Sequence, residues 1–394
     1  MTRGYEGTFS VDIFNYGTKA LDGTLRVEGL PADWFASSAA MSKPYRVEAY
    51  STATVSFQIK PKTDAGIGDY TATVTDTAKR RPLAPKTYTL SVVPKLSVQV
   101  TKKAVRLTNH LAEPAAGTVS LVPPAGWTAT LAAPANVEVA PGQTVSVPYT
   151  LAPLPGTKAE GALNVTGAVV SGTETIPFAA RLDAVTAQAI GEAAPVIDGI
   201  AEDGWAAAPR LAMADASQVS AEYRPSWTPE GLSADLRFQW DAQRLYVLAR
   251  VKDDTQSQPQ SGGGMWQGDS LQLAFDAKNA GGSGYGPQVY ELQIGKPDGG
   301  APQIYKGMGF AHSGPMASGA IAVTRDEATK TTVYELSIPF AELEGAGTPA
   351  AGQAIGMSVL LNDNDGAGRK GYMEWSSGIG GAKNAALFGT LWLN

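Results

Sequence analysis

The first half of the chain carries one sequence pattern twice, about 93 residues apart. Asn15 and Asn109 are 94 positions apart, and Trp34 and Trp127, each shortly after a proline, are 93 apart. Around these markers apolar and polar residues alternate over short stretches, as they do in strands with one buried face. A repeat of this length matches a domain rather than one turn of a solenoid. The pattern therefore predicts two small β-sandwiches in tandem.

The composition agrees with short strands joined by turns, and it excludes several kinds of chemistry. The 394 residues include 44 Gly and 26 Pro, and only 17% are charged, against about 25% in an average protein. Without Cys there is no disulfide, thiolate metal site or Cys nucleophile, and two histidines, His110 and His312, cannot form a His-rich metal centre. A net charge of −6 without a basic block argues against nucleic acid. No apolar run reaches the roughly 18 residues of a membrane helix.

The composition changes after residue 190. Residues 191–394 hold six of the eight Trp, and they carry 14 Lys and Arg against 23 Asp and Glu. Strand patterns follow one another here, for example at 269–276, where Leu271, Leu273 and Phe275 share one face. The sequence therefore predicts one larger antiparallel sandwich, which carries the acidity of the whole chain.

Five short motifs occur in order in this part of the chain. They are Asp198-Gly199 before Trp205, Leu245-Tyr246-Val247 before Asp253, Trp266-Gln267-Gly268-Asp269, Ile338-Pro339-Phe340, and Asn362-Asp363 before Trp375. Together they resemble the family 9 carbohydrate-binding module, a jelly-roll-like sandwich related to DOMON domains.

The N-terminal half has a resemblance of its own. Asn15-Tyr16-Gly17 and the Pro-to-Trp corners resemble the Ig-like modules that accompany carbohydrate-binding domains in secreted bacterial glycosidases. The fold class that follows is all-β, with two tandem Ig-like β-sandwiches followed by a larger jelly-roll-like antiparallel β-sandwich. The expected domains are 1–94, 95–189 and 190–394, with an Ala-rich linker at 184–194.

The resemblance to the carbohydrate-binding family implies a ligand and a site. A xylanase-linked member of that family holds terminal sugars between two tryptophans, with polar side chains beside them. An aromatic ring suits the C–H face of a sugar, and fixed donors and acceptors suit its hydroxyls. We therefore expect a neutral polysaccharide or oligosaccharide as the partner. The carbohydrate-binding residues that this implies are Trp266, Gln272, Glu291, Gln293, Asn362 and Asp363.

The second stacking tryptophan of the family has no counterpart in the expected loop. Residues 376–386 contain no aromatic side chain. Tyr285 or Trp227 would have to supply another platform. The missing aromatic favours an alternative in which the chain is a structural stalk, in cell-surface adhesion or associated with an S-layer, without sugar binding.

Clustered oxygen ligands raise the question of calcium. The run Asn362-Asp363-Asn364-Asp365-Gly366 offers oxygens that a hard cation prefers, but its spacing departs from the EF-hand pattern. A hairpin turn is the simpler interpretation. The family resemblance adds support for a structural calcium ion. Its candidate ligands in this sequence are Asp253, Asp254 and Asp365. No other cofactor is expected.

No motif pairs two carboxylates as a catalytic acid and base. Glu291, Glu335 and Glu374 are instead expected on solvated strand faces. A second alternative is a haem-binding DOMON-like domain, with Met265, Met308 and His312 as the available axial ligands.

The start of the chain, Met1-Thr2-Arg3, does not resemble a signal peptide. We therefore expect a fragment of a longer secreted or cell-surface bacterial protein that degrades polysaccharides. In this hypothesis the fragment is non-catalytic and monomeric, it does not insert into membranes or bind nucleic acid, and a catalytic domain lies upstream.

Overall fold

The computed structural model describes residues 1–77, 82–132, 135–191 and 193–394. Strands joined by turns and short 3-10 helices make up the described chain, which confirms the all-β prediction. No described helix has the length and apolar character needed to cross a membrane.

The 3-10 helices are Ala32–Trp34, Ser38–Met41, Asp203–Ala207, Ala216–Gln218, Gly262–Gln267, Phe340–Glu342 and Ala385–Leu387. The strands are β1 Gly7–Asn15, β2 Leu21–Glu28, β3 Ser42–Val47, β4 Ser51–Ile59, β5 Gly68–Asp76, β6 Lys86–Val92, β7 Leu96–Val100, β8 Ala104–Asn109, β9 Ala115–Val122, β10 Trp127–Leu131, β11 Asn136–Val139, β12 Thr144–Pro153, β13 Glu160–Ser171, β14 Glu174–Ala189, β15 Leu211–Met213, β16 Leu232–Trp240, β17 Arg244–Asp253, β18 Ser270–Asp276, β19 Val289–Gly295, β20 Gln303–Lys306, β21 Gly314–Pro315, β22 Ala320–Asp326, β23 Thr331–Pro339, β24 Ala354–Asp363, β25 Gly371–Trp375 and β26 Gly389–Leu393.

Contacts within the chain group it into two compact units. The first unit comprises Met1–Ser120, Leu131–Tyr149 and Gly167–Phe178. The second comprises Leu121–Thr130, Thr150–Thr166 and Ala179–Asn394. The three domain boundaries inferred from the sequence stay a prediction.

In the first unit, alternating strands bury one face each. β1 pairs with β4, and β3, β2, β5 and β6 form a second antiparallel sheet. Val55, Phe57 and Ile59 of β4 are buried, and the residues between them are exposed. Trp34 is buried against the edge of Tyr70, with 4.6 Å between ring centroids. Trp34 therefore belongs to the core of the first unit.

The repeated asparagines make the same hydrogen bonds in both copies. Asn15 Nδ2 donates to Lys19 O at 2.8 Å and Val47 O at 3.1 Å. Asn109 Nδ2 donates to Glu113 O at 2.7 Å and to the carbonyl of Val139 at 2.9 Å. In both copies Oδ1 accepts the backbone N–H two residues further along the chain. The sequence repeat is therefore also a structural repeat.

In the second unit, two antiparallel sheets enclose one apolar core. Sheet A runs in the order β20, β19, β18, β24, β26, with β25 beside the end of β24. Sheet B runs in the order β15, β16, β17, β23, β22. Leu271, Leu273 and Phe275 of sheet A and Phe238 and Val247 of sheet B belong to the same buried cluster. The predicted face of β18 is confirmed.

The Ala-rich stretch at 184–194 begins inside a strand, so the prediction of a linker there is wrong for its first six residues. β14 continues to Ala189, pairing in parallel first with β26 and then with β16. Ala184, Val185 and Ala187 are buried, because their small side chains fit where the strand joins two sheets. Glu192 of the predicted linker lies outside the described residues.

Both faces of β18 and β19 are buried. Every residue of the two strands lies in the buried class, because the inner face meets the core while loops cover the outer face. The covering loops include the 3-10 helix at Gly262–Gln267 and the segment 376–386. This cover over sheet A sets the position of the candidate site.

Candidate functional site beneath Trp266

A cavity of about 550 Å³ lies on the outer face of sheet A. Four of the six residues expected to bind carbohydrate line it: Trp266, Gln272, Glu291 and Gln293. Gln272 on β18 lies directly opposite Gln293 on β19, and Glu291 points to the same face two residues earlier. We call this space the Trp266 cavity.

Trp266 reaches the cavity from a short, firmly held 3-10 helix. Its neighbour Met265 is fully buried, whereas 42% of Trp266 is exposed. The carbonyl of Met265 accepts hydrogen bonds from Gln258 Nε2 at 2.9 Å and Ser270 Oγ at 2.8 Å. An exposed aromatic ring on an anchored loop is a surface for ligand contact, because its position is fixed before a ligand arrives.

Buried amides and a carboxylate form the polar floor of the cavity. Gln272 Nε2 donates to Glu291 Oε1 at 2.7 Å, and Asn362 Nδ2 donates to Gln272 Oε1 at 3.1 Å. Gln293 is 7% exposed, and its Oε1 has no hydrogen-bond partner in the part of the chain that the structure describes. A buried amide oxygen without a partner is costly, so it is a ready acceptor for a ligand hydroxyl.

Two cations of the cavity were missed by the sequence interpretation. Arg369 donates from Nε to Asn362 Oδ1 at 2.8 Å, and its guanidinium carbon lies 5.5 Å from the centre of the Trp266 ring. Lys383, in the loop without aromatics, forms an ion pair with Glu291. Both residues come from irregular loops, where no periodic pattern indicates direction. The sequence offered one indication of the role of Lys383, which is the one charged residue in the segment 376–386.

Neither proposed substitute for the second tryptophan lies in the cavity lining. Tyr285 packs edge-on against Phe388 and donates its hydroxyl to Gly378 O at 2.9 Å. Trp227 packs against the main core, and its Nε1 donates to Leu232 O at 2.8 Å. The aromatic ring that does line the cavity, besides Trp266, is Tyr305.

Asp363 lies away from the Trp266 cavity, which corrects the expectation that it contacts sugar. Successive residues of a strand point to opposite faces, so Asn362 supports the cavity while Asp363 points away from it. Asp363 is fully buried, and carboxylate oxygens of Asp253, Asp269 and Asp363 lie within 4.8 Å of one another. Asp254 and Asp365 extend this acidic cluster at its exposed side.

The acidic cluster carries more negative charge than its surroundings balance. At ordinary hydrogen-bond distance, neither carboxylate oxygen of Asp363 has a partner among the described residues, although the Tyr223 hydroxyl interacts with this carboxylate. The Lys370 ammonium lies 3.6 Å from Asp363 and 2.7 Å from Asp365. Burial, with repulsion from Asp253, raises the pKa of Asp269 to about 9. Burial also raises the pKa of Asp253 to about 7. Unpaired buried carboxylates of this kind fit a hard divalent cation.

Of the three carboxylates expected on solvated faces, Glu291 and Glu335 are buried and Glu374 is half-buried, so that expectation is wrong. Glu335 is fully buried and accepts the backbone N–H groups of Asp198 and Gly199. Glu374 accepts the backbone N–H of Ile379 at 2.6 Å, and burial raises its pKa. Loops and turns cover the faces that alternation alone assigns to solvent, and these two carboxylates hold them in place.

The other sequence-derived candidates lie as follows. Of the three residues considered as haem ligands, Met265 is fully buried, while Met308 and His312 are exposed. The tryptophans expected in the core, Trp205 and Trp375, are buried. The predicted hairpin turn after Asn362 is confirmed, because β24 and β25 pair on either side of it.

Two family models match separate parts of the chain. A family model described as "Carbohydrate family 9 binding domain-like" matches residues 197–394, half of the chain. A model described as "NPCBM-associated, NEW3 domain of alpha-galactosidase" matches residues 1–78.

Individual relatives are more distant. The chain is 24% identical over 217 residues to endo-1,4-beta-xylanase A of Thermotoga neapolitana, covering 54% of this chain but 18% of that protein. A family 9 carbohydrate-binding module of Caldicellulosiruptor kristjanssonii, solved with cellotriose, is 20% identical with a TM-score of 0.42, over 54% of this chain and 94% of its own. A putative carbohydrate-binding protein of Bacteroides uniformis is 11% identical with a TM-score of 0.40, over 54% and 99%.

Proposed function

The chain belongs to the carbohydrate family 9 binding domain-like family through residues 197–394, and we propose that this module binds a neutral polysaccharide or oligosaccharide in the Trp266 cavity. The observation that carries the proposal is that one cavity is lined both by the partly exposed Trp266 ring and by the amides of Gln272 and Gln293. The indole offers an apolar surface to the C–H face of a sugar. The amides and Glu291 offer fixed partners to its hydroxyls.

Affinity electrophoresis of the full chain in gels containing soluble xylan, hydroxyethyl cellulose, β-1,3-glucan or pectin tests this proposal. Retardation by at least one glycan is expected, and Trp266→Ala should remove it. Tyr16→Ala is the matched control, since Tyr16 is an exposed aromatic outside the cavity. If no glycan retards the wild type, or if Trp266→Ala is retarded as strongly, the proposal fails.

We further propose that the chain is an accessory, non-catalytic part of a secreted or cell-surface polysaccharide-degrading protein, with Ig-like spacers before the binding module. Two matches support this: the xylanase relative, and the model of an α-galactosidase-associated domain at residues 1–78. Incubation with the glycans that bind, followed by an assay for reducing ends, tests it. Release of reducing ends by the purified chain would contradict a non-catalytic role.

We also propose that the acidic cluster holds a structural calcium ion. Asp253, Asp269 and Asp363 would be the inner ligands, with Asp254 and Asp365 at the exposed side. When bound, the ion would neutralise charges that the folded chain brings together. The unpartnered oxygens of Asp363 support this assignment.

The alternative is a structural stalk without sugar binding. The observation that favours it is the absence of an aromatic side chain in 376–386, opposite to the family's second platform. The electrophoresis above separates the two functions, because a stalk is retarded by none of the glycans.

A further inference from the structure

Arg369 is a cation without an acidic partner in the wall of the Trp266 cavity. The other cation of the lining, Lys383, is neutralised by its ion pair with Glu291. Among the described residues Arg369 makes no ion pair, and its one hydrogen bond goes to the neutral amide of Asn362. Burial lowers the pKa of the Arg369 guanidinium, while electrostatic interactions with Tyr372 and Glu374 act in the opposite direction. A partly desolvated cation without a counterion favours an anionic ligand group.

The distances exclude one role for Arg369. Its guanidinium carbon lies 5.5 Å from the Trp266 ring centre and 4.7 Å from the Tyr372 ring centre, so it packs between the two aromatics. A sugar ring stacked on both sides needs about 7–8 Å between its platforms, twice a van der Waals contact of about 3.5–4 Å. Arg369 therefore does not replace the second tryptophan as an opposite platform. It lies beside Trp266 in the lining of the cavity.

The free edge of the guanidinium suits a carboxylate. Asn362 engages Nε, and among the described residues nothing accepts a hydrogen bond from Nη1 or Nη2. The guanidinium lies over the Trp266 and Tyr372 rings, and these contacts together with the Asn362 hydrogen bond hold it in place. A fixed guanidinium can give a carboxylate two parallel hydrogen bonds, which are stronger and more directional than bonds to neutral hydroxyls.

We infer that the Trp266 cavity selects a sugar that carries a carboxylate, and that Arg369 recognises this carboxylate. The sugar would be a uronic acid joined to an otherwise neutral chain. This inference rests on the proposed sugar binding. The neutral part of the ligand lies on Trp266 and meets Gln272 and Gln293. The carboxylate lies at the Nη edge of Arg369. Because residues 191–394 carry a net negative charge, they do not attract an anionic sugar from a distance. The selectivity therefore comes from the local contact between Arg369 and the carboxylate.

Calorimetric titration of the full chain with three matched ligands tests the inference. They are a neutral oligosaccharide that binds, the same oligosaccharide ending in a uronic acid, and the methyl ester of that acid. The acid should bind about tenfold or more tightly than its ester and than the neutral ligand. Equal affinity for acid and ester would overturn the inference and leave the proposed function intact. No binding of any of the three would overturn the proposed function itself.

Substitutions of Arg369 test whether this residue is responsible for the preference for the acid. Arg369→Gln should bring the acid to the affinity of its ester, and Arg369→Lys should keep part of the preference, each measured as the ratio of acid to ester affinity within the same variant. Arg250→Gln, which removes an exposed arginine outside the cavity, should match the wild type. Full preference in a folded Arg369→Gln would contradict the role of Arg369. If that variant does not fold, the acid-to-ester ratio of Arg369→Lys decides, and an unreduced ratio counts against the role.

Discussion

At the scale of single residues, one buried amide links most of the candidate site. Asn362 donates to Ser270 Oγ and Gln272 Oε1 and accepts from Arg369 Nε. It thus fixes both the amide floor and the cationic wall. The residues on strands could be predicted from the sequence because alternation gives their direction. Arg369 could not, because its position depends on a loop and on two aromatic rings from different segments.

The repeated asparagines yield a prediction about stability. Asn15→Ala and Asn109→Ala each leave buried carbonyls without donors, so each should lower the free energy of unfolding by about 1–3 kcal/mol. Urea unfolding of the full chain measures this. Asn136→Ala, at an exposed position, is the control and should change stability by less than about 0.5 kcal/mol. Equal losses in all three variants would contradict the structural role of the repeat.

Glu335 yields a prediction about pH. Burial raises its folded pKa above that of the unfolded chain. The folded state therefore binds more protons between these two pKa values, and stability falls as pH rises through that interval. Glu335→Gln does not titrate, so the stability of the wild type relative to this variant should be highest at low pH and should fall as pH rises. Thermal unfolding across pH 4 to 8 checks this, and a difference that rises with pH would contradict it.

At the scale of elements, strand alternation predicted β18 of sheet A and the face that it buries. The prediction failed in two places. The last residues of β14 are rich in alanine, and such a strand resembles a linker in the sequence. Elsewhere, loops cover a strand face that alternation assigns to solvent. Alternation reports the two faces of a strand but not what covers the second one. That is why Glu291 was expected on a solvated face, although it is 3% exposed at the floor of a cavity.

The hairpin of β24 and β25 brings Asp363 and Asp365 to the acidic cluster, and it yields a prediction about calcium. Calcium should raise the melting temperature of the full chain and a chelator should reverse the shift, since an ion that binds only the folded state stabilises it. Asp363→Asn should abolish the calcium shift without lowering the melting temperature in chelator, because it relieves repulsion. Asp12→Asn, at an exposed carboxylate, should keep the shift. A chelator-insensitive wild type would contradict the calcium assignment.

At the scale of the whole molecule, the chain combines an Ig-like repeat with an acidic module that carries the candidate site. The absence of Cys, the low charge and the many Gly and Pro indicate the fold class, and the ordered motifs of 195–394 indicate the family. Neither indicates the chemistry of the cavity, where an arginine between two aromatics lies beside a single exposed tryptophan.

The most direct test of the central claim is calorimetric titration of the full chain with the soluble oligosaccharide of any glycan that retards it. The account predicts one site per chain. It also predicts that Trp266→Ala weakens binding by about 2 kcal/mol or more, roughly thirtyfold, while Tyr16→Ala leaves it unchanged. Binding that survives Trp266→Ala at full strength, or the absence of any binding heat with every oligosaccharide, would contradict it.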